Sequence, residues 1–180
     1  MTDQSLVQAA RQGDQEAFRQ LVQPLERSYC HIARSITGNS HDALDAWQNA
    51  LLRAWGHIPR LRDPLRFRPW LATILLNESK TLVSKRGRAP LPMEELPEQA
   101  EDVLDTASNL AVRECLRHLP LEQREAVVLR FWLDLSLQDI ARATCVPLST
   151  AKARLYRGID ALHDMLEDKE ERGEVDGRQT

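Results

Sequence analysis

Apolar residues recur along this chain at steps of three and four, the spacing of helices with one buried face. Leu6, Val7, Ala9 and Ala10 begin the pattern, with Asp3 or Ser5 available as a cap, and Gly13 ends it. Asp14 opens a second helix carrying Phe18, Leu21, Val22 and Leu25, and Pro24 is expected to bend it. The spacing resumes at Tyr29, Ile32, Ala33 and Ile36 and stops at Gly38-Asn39, a pair suited to a left-handed helix end, after which Ser40 can cap the next helix. There Leu44, Trp47, Leu51, Trp55 and Ile58 form one stripe, closed by Pro59. In such a stripe, core packing is the expected role of Trp47 and Trp55. Asp63-Pro64 marks a loop, and Phe67, Trp70, Leu71, Ile74 and Leu75 form a further stripe that runs out near Lys85-Arg86-Gly87.

The periodicity then lapses. Residues 87–105 hold Pro90, Pro92 and Pro97 and a run of acids, which predicts an extended acidic linker. Helical spacing returns with Leu110, Val112, Cys115, Leu116 and Leu119, stops at Pro120, and resumes through Ala126, Val127, Leu129 and Phe131. No strand-like alternation of useful length occurs. The expected fold is therefore all-α: a helical domain over 1–86, the linker over 87–105, a second helical domain over 106–167, and a disordered tail over 168–180.

The second domain contains the sharpest local motif. Ser136-Leu137-Gln138-Asp139 is a capping-box-like helix start, Leu137, Ile140 and Ala141 face inward, and Thr144-Cys145-Val146-Pro147 makes a turn. Ser149 is expected to cap the next helix, with Ala151, Leu155, Ile159, Leu162 and Leu166 inward and Lys152, Tyr156 and Arg157 outward. A second helix bearing bases on its N-terminal half is the geometry that enters a DNA major groove.

Composition supports helices, with aromatics at 5% and only 7 glycines. A net charge of −3 argues against a nucleic-acid binder until the charge is placed along the chain. Between Arg60 and Arg88 eight bases face only Asp63 and Glu78; the linker is acidic; and Arg142, Lys152, Arg154 and Arg157 form a second acid-free basic stretch. Cys30, Cys115 and Cys145 are widely spaced in apolar helical contexts, which predicts buried thiols without disulfides. No signal-peptide pattern and no apolar run near the ~18 residues of a membrane span appear. A cytoplasmic protein without direct membrane insertion, and without a cofactor, is expected.

These residues resemble the extracytoplasmic-function (ECF) group of bacterial sigma factors, in the sigma-70 family, from Leu6 to Leu166. Asp42 to Gln48 with Leu52-Arg53-Ala54-Trp55 resembles region 2.2, and Phe67-Arg68-Pro69-Trp70-Leu71 with Ile74 and Asn77 resembles regions 2.3 to 2.4. Leu119-Pro120, Gln123-Arg124 and Val127 to Arg130 resemble region 4.1, and Ser136 to Leu162 resembles region 4.2. The resemblance implies an alternative sigma factor, not an enzyme, that binds core RNA polymerase, reads the minus-10 and minus-35 promoter elements and directs transcription initiation. It also implies an anti-sigma factor as a partner. Asp42, Asp45, Gln48, Asn49 and Arg53 become the implied polymerase contacts. Arg62, Arg66, Arg68, Asn77 and Lys80 become the contacts to the unpaired minus-10 strand, combining phosphate attraction with an amide for a base edge. Ser149, Thr150, Lys152, Ala153, Arg154, Tyr156 and Arg157 become the minus-35 contacts. Leu44, Asn49, Leu61 and Ala153 depart from the family's usual residues.

Two rival readings stand beside this one. A stand-alone helix-turn-helix regulator explains the C-terminal motif but not the basic segment from Arg60 to Arg88. A metal-binding protein is suggested by Cys30-His31 and by Cys115 with His118, a helical spacing that can put two ligands on one side of an ion.

Overall fold

The structure, a computed structural model, describes residues 3–86 and 107–176, with side-chain surroundings described for 3–86, 112 and 114–167. Among these residues there is no strand. The N-terminal bundle comprises α1 (Asp3–Arg11), α2 (Gln15–Val22), α3 (Glu26–Thr37), α4 (Ser40–His57) and α5 (Phe67–Arg86). The C-terminal bundle comprises α6 (Ala107–His118), α7 (Leu121–Leu133), α8 (Leu137–Ala143) and α9 (Leu148–Asp176). The expected all-α class holds. The linker expected at 87–105 lies outside the described residues.

Local chemistry sets the helix ends. Gly13 takes φ +95 after α1, and the Asp14 carboxylate accepts the Ala17 amide at 3.0 Å to start α2. Pro24 does more than bend a continuous helix: a 3-10 turn over Gln23–Leu25 separates α2 from α3, because a proline ring cannot donate into the preceding helical turn. Gly38 is left-handed (φ 82), as its position predicts, but Asn39 rather than Ser40 caps α4. Its extended backbone directs Oδ1 to the Asp42 amide at 2.7 Å, leaving Ser40 as the first helical residue. A second 3-10 turn follows α4 over Ile58–Arg60, where Pro59 closes the helix.

The N-terminal core gathers around α3. Tyr29, Ile32 and Ala33 are essentially fully buried, and each large apolar side chain removed from water contributes about 1.5–3 kcal/mol before entropic costs. Trp47 is buried against Tyr29, with ring centroids 5.5 Å apart, while Trp55 is half-buried against Phe18 at 5.3 Å, so both tryptophans serve packing. Tyr29 also donates its hydroxyl to the Arg68 carbonyl oxygen at 2.8 Å, pinning the start of α5 to the core; burial pushes its pKa up.

In the C-terminal bundle Ser136 accepts the Asp139 amide at 3.2 Å and donates its hydroxyl to the Asp139 carboxylate at 2.7 Å. The turn to α9 runs through Cys145 at φ 55. That conformation turns Cys145 outward, so of the three thiols expected to be buried only Cys115 is; Cys30 is half-buried and Cys145 exposed. Ser149 does not cap α9. The helix begins at Leu148, and the Pro147 carbonyl oxygen already accepts the Ala151 amide at 3.0 Å. Proline suits this place because helix-start amides have no intrahelical partner and its missing N–H leaves none unsatisfied. At the other end, α9 continues to Asp176 where a disordered tail was expected from residue 168. Strong helix formers from Glu167 to Arg172 extend a helix already nucleated, and extension costs far less than nucleation.

The two bundles pack on each other. α3 lies against α6 and α7, and α5 lies against α8. Arg124 is the hinge pin of this contact: its Nη1 donates to the Ser35 carbonyl oxygen at 2.7 Å and its Nη2 to those of Arg117 and Leu119 at 2.7 and 2.9 Å. These carbonyls belong to the last turn of α3 or to the end of α6, where helix geometry leaves acceptors unpaired.

Candidate nucleic-acid and polymerase interface

On α9 the outward face is as the periodicity predicts. Lys152, Ala153, Tyr156 and Arg157 are exposed, while Ala151 and Leu155 are buried beneath them. Lys152 Nζ lies 5.9 Å from the Tyr156 ring centroid, a cation–π contact that holds the two side chains on one face. Ser149 is exposed and Thr150 and Arg154 are half-buried at the margin. The helix is held at its crossing with α7 by Gly158, where a Cβ would meet Val127 Cγ2 at 2.8 Å.

The residues expected at the minus-10 element are less uniform. Arg62 and Asn77 are exposed. Arg68 pairs with Asp3 at 3.1 Å, Lys80 Nζ lies 2.9 Å from Glu125 Oε1, and Arg66 pairs with Asp139. Arg68 and Asn77 are nine residues apart on α5, which places them about 13 Å apart along the axis and on opposite sides. The structure therefore brings Asn77 near Lys80 on α5, but it does not gather all five residues on one face.

On α4, Gln48 and Arg53 are exposed and Asp42, Asp45 and Asn49 half-buried. Leu44 and Leu52 stand out beside them, 47% and 72% exposed, giving this surface apolar as well as polar character. Three of the five residues are engaged with neighbours, Asp45 with the imidazole of His41 at 3.4 Å. Asp42 pairs with Arg86, which also donates to the Thr37 carbonyl oxygen, and Arg53 Nε lies 2.6 Å from Glu78 Oε1.

Sequence reasoning missed the acids that receive these bases. Glu78 and Glu125 are buried, and Glu125 is pressed into the interface between bundles, with Lys80 alone at ion-pair distance among the described residues. Neither of its carboxylate oxygens makes a hydrogen bond of good geometry among the described residues, although Lys80 Nζ lies 2.9 Å from Oε1. Burial pushes the Glu125 carboxyl above the ordinary carboxylate range, opposed by Lys80. The only sequence signal was position: both acids interrupt otherwise apolar faces. Of the residues behind the metal reading, Cys115 is buried while His118 points outward to Glu114 at 3.5 Å, so that pair does not face one ion.

Two family models match, one within each bundle. Sigma-70 region 2 matches residues 21–89, and Sigma-70, region 4, matches residues 109–162. The chain is 29% identical to the ECF RNA polymerase sigma-E factor of Haemophilus influenzae, over 93% of this chain and 96% of the relative. It is 27% identical to the ECF RNA polymerase sigma factor SigW of Bacillus subtilis, over 90% and 95%.

The chain belongs to the ECF group of the sigma-70 family.

Among solved structures the sigma factor is similar to CnrH, determined in complex with the cytosolic domain of CnrY: TM-score 0.70, 26% identity, 92% of this chain and 97% of the other. A likeness to RpoE of Bartonella quintana, at TM-score 0.66 and 24% identity, supports the fold alone. Sigma factors are transcription initiation factors that bind core RNA polymerase and promoter DNA, so the sigma factor's helix-turn-helix is one part of a polymerase subunit. The region 2 match removes the stand-alone regulator reading, which had no role for the N-terminal bundle.

Proposed function

We propose that this sigma factor divides its work at the segment 87–105: residues 1–86 grip polymerase and hold the minus-10 strand, and residues 106–167 read the minus-35 duplex. The observation that carries the minus-35 half is the exposed Lys152, Tyr156 and Arg157 face on a helix whose opposite face is buried. Lys152 and Arg157 reach base edges, Ala153 offers a methyl to a thymine, Tyr156 packs beside Lys152, and Ser149, Thr150 and Arg154 hold phosphates. Arg62, Arg66, Arg68 and Lys80 supply positive charge to the unpaired strand, and Asn77 supplies a base-edge hydrogen bond. Asp42, Asp45, Gln48, Asn49 and Arg53 form the polar part of the polymerase contact, with Leu44 and Leu52 as its apolar part.

The chain works as a binding and positioning subunit, not as an enzyme, in the cytoplasm where polymerase and chromosome are. No helix among the described residues is long and apolar enough to cross a membrane. An anti-sigma protein is a further partner, as it is for the sigma factors among the similar solved structures. Gel-shift assays on promoter duplex test the division of labour. Specific complexes are expected only when core polymerase is added, and tight specific binding by the chain alone contradicts the reading.

A further inference from the structure

Between the buried Leu61 and Phe67, the connection from α4 to α5 carries Arg62, Asp63, Pro64, Leu65 and Arg66. Leu65 is 72% exposed. Of the exposed large apolar side chains described in the N-terminal bundle, Leu44 and Leu52 belong to the polymerase surface, and Leu65 is left without a role. A single leucine in water needs no explanation by itself. Its mounting does. The Asp63 carboxylate accepts the Leu65 amide and the Asp63 carbonyl oxygen accepts the Arg66 amide, both at 3.0 Å. Pro64 opens the resulting 3-10 turn, Pro64–Arg66, where its ring fixes φ. α1 packs on this turn, and beyond it Phe67 is buried with its ring centroid 6.0 Å from that of Trp70. The turn is thus held by its own hydrogen bonds and at both ends, so Leu65 is presented in a fixed direction.

The chemistry on either side of it is cationic. Arg62 and Arg68 are exposed and Arg66 is half-buried, so guanidinium groups precede and follow the apolar pair Pro64-Leu65. Guanidinium groups attract phosphates whatever the sequence, which brings a strand to this turn. A leucine side chain has no hydrogen-bonding group and so cannot read a base edge. What it offers a nucleic acid is apolar surface in the place of a stacked base, and aliphatic or proline side chains inserted at a base step partly unstack it.

We infer that Leu65, backed by Pro64, is a wedge at the junction where the promoter duplex gives way to the unpaired minus-10 strand. It covers the stack where a base has left the helix and so slows that base's return. The inference rests on the assignment of Arg62, Arg66 and Arg68 to that strand. Leu65 and Asn77 then have different tasks. The amide acts on sequence through a base edge, whereas the leucine acts on opening, whichever base is displaced. Taking a base out of the stack costs less where it is already unpaired, so the wedge matters most on a fully paired promoter.

Holoenzyme assembled from core polymerase and the full chain tests the wedge on one promoter, taken from genomic fragments that it transcribes. The promoter is used in two forms, fully paired and with the minus-10 segment mismatched so that it is already open. 2-Aminopurine in that segment reports opening of the paired form, and run-off yield is read on both. Leu65→Ala should slow opening and lower yield on the paired form by about fivefold or more. Its loss on the mismatched form should be smaller by about threefold or more. Leu65→Met keeps the apolar bulk and should restore the paired form to within about twofold of wild type. Leu65→Asn, similar in size without the apolar surface, should behave as Leu65→Ala does. An exposed position tolerates these changes in folding, which circular dichroism checks. Equal losses on the two forms overturn the wedge, as does wild-type opening by Leu65→Asn. Leu65→Ala without effect on either form overturns it too, and Arg62→Ala then shows whether the premise failed. Weaker holoenzyme binding to a fluorescent single strand carrying the minus-10 sequence keeps the strand assignment and sinks the wedge alone; unchanged binding sinks both.

Discussion

The crossing of α9 over α7 can be probed by adding a single methyl group, Gly158→Ala. In an exposed helix interior this change stabilises by about 1 kcal/mol, because alanine has less backbone freedom to lose. Here the new Cβ would sit 2.8 Å from Val127 Cγ2, 3.3 Å from the Gln123 carbonyl oxygen and 3.4 Å from Gln123 Cβ. Neither close neighbour can yield cheaply. Val127 is 2% exposed and β-branched, so one rotamer dominates in its helix, and the Gln123 carbonyl is part of the α7 backbone. Overpacking of this kind costs about 1–3 kcal/mol, so the net effect of Gly158→Ala is a loss of ~0–2 kcal/mol, centred near 1. A loss of 1 kcal/mol lowers the melting temperature of a domain of 60–100 residues by about 4–8 °C. Val127→Ala removes the offending methyl and by itself leaves a cavity costing about 1–3 kcal/mol. The double variant should therefore lose at least ~1 kcal/mol less than the sum of the single losses, read by urea or thermal unfolding with far-ultraviolet circular dichroism. Gly158→Ala stabilising by the full 1 kcal/mol, or strict additivity with Val127→Ala, refutes the close approach.

Three other expectations follow from named side chains. Lys152→Ala and Arg157→Ala should each cost about 1–3 kcal/mol at promoters that depend on the minus-35 element, reducing transcription roughly fivefold or more there; equal losses at promoters lacking that element contradict base reading. Maleimide labelling at neutral pH followed by mass spectrometry should modify Cys145 first, since Cys115 is buried and burial pushes the Cys30 thiol up to about 11; rapid loss of the Cys30 thiol in folded protein contradicts this. The third concerns Glu125, whose folded pKa lies above its unfolded value of about 4.3. Its protonation favours the folded chain, so that contribution is full below the unfolded pKa and is lost as pH rises through the folded one. The stability of wild type relative to E125Q should improve on acidification, and a constant difference across that range counts against the buried, desolvated carboxyl.

The helices and the reading face were legible because both follow from periodicity. Phe18, Tyr29, Trp47 and Leu155 fall where three- and four-residue spacing puts a buried stripe, and Lys152, Tyr156 and Arg157 fall opposite one. Caps were less legible where neighbours compete for one role. Asn39 precedes Ser40 and Pro147 precedes Ser149, and in each case backbone geometry chose the earlier residue. Periodicity is blind to contacts distant in sequence. Nothing local marks Glu125 as the partner of Lys80 or Asp139 as the partner of Arg66; Asp139 was legible only as part of a helix start. The minus-10 residues were grouped by charge along the chain, and the fold separates Arg68 from Asn77 by half a helical turn because linear proximity ignores the direction of a side chain. Cys145 looked buried from its apolar neighbours, but a left-handed residue in a tight turn points outward.

The central claim is that this chain confers promoter-specific initiation on polymerase. Run-off transcription of fragments of the source genome, with core RNA polymerase in the presence and absence of the purified chain, tests it most directly. Discrete transcripts that appear only with the chain, and whose start sites share common minus-10 and minus-35 sequences, are the predicted result. An unchanged transcript pattern, despite a folded chain and active core polymerase, contradicts the account.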